Sequence, residues 1–209
     1  MNKPEHKKRF EELFRLFTEA HLCFFVWRGL QKKEYEKYWK RDSNFWNAVI
    51  YSLQRTWFQA LANIYEDSSY SKKNKVISVY SLVLFQEDEK RRSELENILD
   101  SNKVVIENIS KLRHHQLSHN NANFLLNPKL MLQKFPIKHG DIERLLQSTE
   151  ELLRYLHPEN NHSFAISGFD EKCEKDSGNI MKKIEYYLKR EREHQEEIHS
   201  GKKPYSDFP

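Results

Sequence analysis

An all-helical fold is what this sequence predicts, and three observations predict it. Its 209 residues include only 5 Gly and 6 Pro, so long stretches run free of helix breakers. Leu, Glu and Lys, all strong helix formers, are abundant. Apolar residues recur every three or four positions in one segment after another.

In the first segment, Phe10, Leu13, Phe14, Phe17, Ala20 and Phe24 fall at helical spacing, which predicts a helix from about residue 5 to about residue 30, ending near Gly29. Lys32 to Arg41 is charged and aromatic, and either extends that helix or connects it to the next. Ser43 or Asn44 can cap a second helix, with Trp46, Val49, Ile50, Leu53, Trp57, Leu61 and Ile64 as its apolar stripe. The polar run from Glu66 to Asn74 reads as a turn. Val76 to Phe85 is rich in β-branched residues, which leave a strand open, yet reads as a short helix in this company.

A fourth helix is predicted from about Asp88 to about Leu117, with Leu95, Ile98, Leu99, Val105, Ile106, Ile109 and Leu112 on one face. Residues 119–139 lack periodicity but carry Phe124, Leu125, Leu126, Leu130, Met131, Leu132, Phe135 and Ile137, so they read as a loop that packs. Asp141 opens or caps a fifth helix bearing Ile142, Leu145, Leu146, Leu152, Leu153 and Leu156, and Pro158 stops it. After a turn-rich connection, a last helix from about Glu171 to about His199 is apolar only as far as Leu188. Residues 1–157 are therefore expected to form one helical unit. Residues 158–209 add a connecting loop, a charged helix and a loose tail.

Composition narrows the function classes. The formal net charge of +4 and pI near 8.9 permit nucleic-acid contact without demanding it. The longest purely apolar run, Leu22 to Trp27, is far short of a membrane span, and the charged N-terminus has no signal-peptide core. Cys23 and Cys173 form no metal-ligand or redox spacing and fit a reducing compartment. These features predict a cytoplasmic protein, away from membranes.

Chemistry concentrates in one stretch, Ile109 to Asn121, at the end of the fourth helix. Arg113, His114, His115, Ser118, His119, Asn120 and Asn121 crowd together there. Three readings compete. In the first, the stretch cleaves RNA without a metal: His119 transfers the proton, Arg113 clamps the phosphate and His114 assists. His115, Ser118, Asn120 and Asn121 would then contact the RNA, and no cofactor is called for. In the second, His115 and His119, four residues apart, bind a metal. Gln116 stands where the zincin helix needs its glutamate, and no third ligand is evident. In the third, the cluster only satisfies the carbonyls at a helix end.

An arginine followed by Asn, Asp or His and then by a histidine, at the end of a long helix, resembles the HEPN signature. Arg113-His114-His115-Gln116-Leu117-Ser118-His119 fits it with five residues between Arg and His. Lys111-Leu112 ahead of it, Ser118-His119-Asn120 within and behind it, Leu61 to Asp67, and Ile77 to Leu82 are similar to the AbiU-type HEPN-like family of abortive-infection proteins. Asn121 stands where that family often has an acidic residue. Arg15 with His21, and Arg192 with His199, have comparable spacing, but Leu16 and Glu193 follow those arginines.

The resemblance covers about residues 5–157. It implies an up-down helical bundle and a homodimer that juxtaposes two motifs. It also implies ribonuclease activity in phage defence or toxin–antitoxin systems, often beside a nucleotidyltransferase-like antitoxin. The runner-up is a non-catalytic module binding RNA, a nucleotide or a protein. Residues six apart on a straight helix do not share a face, so Arg113 and His119 converge only if the helix ends (near Leu117) or bends between them, or a partner subunit completes the site. Trp46 and Trp57 read as core, not as base-stacking platforms. The basic groups at Lys32–Arg41 and Lys182–Arg192 read as solvated helix faces.

Overall fold

The computed structural model describes residues 3–41, 43–66, 76–114, 133–158 and 169–200. Residues 67–75, 115–132, 159–168 and those after Ser200, which include the expected polar turn, connecting loop and tail, lie outside them. Among the described residues there are eight α-helices and no strand, so the all-α expectation holds. No helix among them is long and apolar enough to cross a membrane.

Helix α1 spans Lys3–Leu30 and is the axis of the bundle. Leu13, Phe17, Ala20 and Phe24, spaced three or four apart, are completely buried. A short 3-10 turn, Lys33–Tyr35, leads into α2, Glu36–Arg41, so the charged stretch after α1 is a separate element. Helix α3, Ser43–Ile64, packs along α1 and buries Trp46 and Trp57, as their helical spacing predicts. Helix α7, His139–Leu156, adds Ile142, Leu145, Leu146 and Leu152 to the same core. Asp141 is not its cap but sits in its first turn, where its carboxylate accepts a hydrogen bond from the Lys138 N–H at 2.9 Å.

Two stretches differ from expectation, each for a polar reason. The predicted helix at Val76–Phe85 is reduced to α4, Val79–Val83. Ser78 caps it by exchanging hydrogen bonds with Ser81, which fixes the start three residues late. The predicted continuous helix from Asp88 to Leu117 is broken into α5, Glu89–Ser101, and α6, Lys103–Arg113. The break is at Asn102, whose side-chain amide donates to the Ile98 carbonyl at 2.9 Å and to Ser148 Oγ on α7 at 3.0 Å. An asparagine that bonds nearby backbone competes with the helix ladder, and the partner on α7 holds the kink in place.

The last helix, α8 (Phe169–His199), packs along α1. Gly29 permits the contact: a Cβ there would meet Ser177 Cβ and Oγ at 3.0 Å. Its role is thus close approach, and α1 ends one residue later at Leu30. Cys173 joins the main core, while Met181 joins a second, smaller one with Leu30, Tyr35, Tyr38 and Trp46. Arg28, near the end of α1, is hydrogen-bonded to Glu143 of α7 and Glu174 of α8, tying three helices together.

Candidate functional site at the end of α6

The site begins with the apolar stripe of α6. Ile106, Ile109 and Leu112 are buried, and Arg113 follows on the border of that stripe, four residues after Ile109. From there its guanidinium crosses to the last turn of α3. Arg113 Nη1 lies 3.0 Å from Glu66 Oε2 and 3.5 Å from the Ala62 carbonyl oxygen. The arginine side chain keeps 26% of its surface exposed and Glu66 keeps 39%. The carboxylate and the carbonyl end of α3 both favour the cation, so Arg113 is fixed in place yet reachable from solvent.

The end of α3 is itself held by a buried hydrogen bond. The Tyr65 hydroxyl meets Thr149 Oγ1 of α7 at 2.7 Å, and Thr149 in turn donates to the Leu145 carbonyl at 2.6 Å. Burial is the main cause that pushes the Tyr65 phenol well above its usual 10. A group whose folded pKa is raised contributes stability that is fully present below pH 10 and is lost as pH climbs beyond it. Tyr65→Phe should therefore cost about 1 kcal/mol at neutral pH. Urea unfolding from pH 8 to pH 11 checks this: the parent should lose stability above pH 10, and its difference from the variant should shrink.

His114 is exposed and still in helical backbone geometry, with its N–H directed to the Ser110 and Lys111 carbonyls. The chain leaves the described residues there and returns before α7. Phe135 is buried and Ile137 packs on the main core, so the described end of the 119–139 segment does pack. Asn108 Nδ2 of α6 donates to the Pro136 carbonyl at 3.0 Å, so the returning strand of chain lies beside the helix that it left.

Of the sequence-predicted site residues, the structure places Arg113 and His114. His115, Ser118, His119, Asn120 and Asn121 lie outside the described residues, as does the expected helix end near Leu117. Glu66 and Tyr65 were not singled out from the sequence. Both stand in the Leu61–Asp67 stretch, but Glu66 is 47 positions from Arg113 and no spacing rule pairs them. Among the described residues no group of three or more His, Cys, Asp or Glu is arranged to hold a metal ion.

A family model for HEPN-type proteins described as AbiU2 matches residues 3–179. The match runs past residue 157 into α8. No curated protein and no solved structure matches the chain.

Proposed function

Since the chain belongs to the HEPN_AbiU2 family, we propose that it is a metal-independent endoribonuclease acting in phage defence or as the toxin of a toxin–antitoxin pair. The observation that carries this reading is Arg113, the first residue of the motif, fixed at a helix end by Glu66 and the Ala62 carbonyl while part of it stays exposed. A guanidinium held in this way is preorganised for phosphate, because little reorganisation remains when charge develops.

In the reaction, His119 removes the proton of a ribose 2′-hydroxyl, and that oxygen attacks the adjacent phosphorus. Arg113 stabilises the added negative charge, with His114 assisting. The bond to the 5′-oxygen breaks, and that oxygen takes a proton from the imidazolium of a second motif. A homodimer supplies that motif, with α6 and its neighbours at the interface. The products are a 2′,3′-cyclic phosphate and a 5′-hydroxyl. His115, Ser118, Asn120 and Asn121 contact the RNA, and a nucleotidyltransferase-like antitoxin is the partner that restrains the toxin.

The same carboxylate favours a second reading. Glu66 at 3.0 Å neutralises much of the Arg113 charge, as suits a non-catalytic module that binds RNA or a partner protein. Incubating a labelled structured RNA with the dimer in EDTA separates the two. Fragments ending in a cyclic phosphate support the nuclease. A verified dimer that binds several RNAs and cuts none of them sinks it.

A further inference from the structure

The basic residues of α2 and α8 lie far apart in the sequence and come together in the fold. On α8 the stripe Cys173, Ser177, Met181, Ile184 and Leu188 faces the bundle, which leaves Lys182, Glu185, Tyr186 and Lys189 on one flank. Lys37 of α2 reaches Glu185 at 2.8 Å, so this is the flank turned toward α2. Residues 32–41 and 182–193 together hold ten basic and five acidic residues, a net +5, whereas the whole chain carries +4. The two segments thus carry the entire positive excess of the chain, and Lys182 and Lys189 are the α8 part of it on the flank that faces α2. That part ends where Glu196 and Glu197 follow on α8.

The side chains there are available. Lys37, Lys40 and Lys189 are 62%, 76% and 72% exposed, and their carboxylate partners are 55%, 46% and 45% exposed. Ion pairs of that kind are weak, so phosphates can replace them at little cost. Tyr186, which shares the flank, is 59% exposed, and its neighbour Tyr187 is 70% exposed. Exposed aromatic rings among lysines suit single-stranded nucleic acid, whose bases stack while its phosphates meet the cations.

We infer that this composite α2–α8 surface docks the backbone of single-stranded RNA at a distance from Arg113, an inference that rests on the ribonuclease reading. The surface packs at the Trp46 end of α3 and Arg113 at the Ala62 end. Sixteen residues of helix separate those ends, about 24 Å at 1.5 Å per residue. A stacked strand spans that distance with about seven nucleotides.

The test uses non-cleavable 2′-O-methyl RNAs of 20 and 5 nucleotides, with the parent and a Lys33→Glu/Lys182→Glu/Lys189→Glu variant whose circular dichroism matches it. The variant should bind the 20-mer at least tenfold more weakly. Its slope of log affinity against log salt should fall by about two, since each single-strand phosphate contact contributes about 0.7. The 5-mer, too short for the span, should bind the parent well below the 20-mer, because it cannot engage the surface and the Arg113 site together. Equal affinity and equal slope for the 20-mer overturn the inference. So does binding of phosphatidylserine vesicles, but not RNA, that the variant loses. Cleavage of unmodified RNA is read separately: a parent that binds through this surface and cuts nothing leaves the surface standing and sinks the nuclease.

Discussion

Arg113→Ala should lower the rate of RNA cleavage by about 10²–10³-fold, the loss that follows removal of one preorganised donor to a developing negative charge. His119→Ala should lower it by more than the roughly 10²–10⁴-fold of one proton-transfer group, because in a homodimer it removes the base and the acid together. The double variant should fall little further than the worse single one, because the two residues act on one transition state and their effects do not add. Arg113→Lys tests the fork itself. It keeps the charge but not the planar pair of donors, and should recover only a small part of the rate. Single-turnover kinetics on a labelled RNA in EDTA is the measurement. Unchanged rates in both alanine variants would place the active site elsewhere or expose a contaminating nuclease.

Phe24→Ala should be the most damaging change to the fold. Phe24 is completely buried, and its ring lies 5.2 Å from Phe25, 6.0 Å from Trp27 and 5.5 Å from Trp57 by centroids. Removing it opens a cavity where α1 meets α3, at a cost of about 3–5 kcal/mol. At this chain length that lowers the Tm by about 6–20 °C. Lys175→Ala, at an exposed position on α8, should change stability by no more than about 0.5 kcal/mol. Thermal unfolding of the two variants side by side checks the contrast, and a Phe24→Ala protein as stable as the parent would mean that this core is wrongly assigned.

The central elements were legible because helical spacing of apolar residues states both the helix and its buried face. Phe17 and Phe24 on α1, Leu61 on α3 and Leu145 on α7 all sit on the stripes that the sequence outlines, and all are fully buried. The break at Asn102 was not legible. A single asparagine inside an apolar period is tolerated by many helices, and what makes this one a kink is Ser148, on a helix 46 positions away. The late start of α4 has a local cause, the Ser78–Ser81 exchange, which the β-branched run around it obscured.

At the site, the sequence by itself determined the inventory and the local frame. It put Arg113 at the end of a helix, at the edge of a buried stripe, ahead of a cluster of histidines and amides. Only the tertiary structure decided what surrounds that arginine. Glu66 and the Ala62 carbonyl meet it because α3 ends beside α6, and Tyr65 fixes that end against Thr149. The basic residues show the same division. Each group, read alone, is a solvated helix face, and only the packing of α8 beside α2 sums them into one surface. The reason is physical: periodicity is a property of one helix and is written in consecutive residues, whereas partners between helices are set by which faces pack.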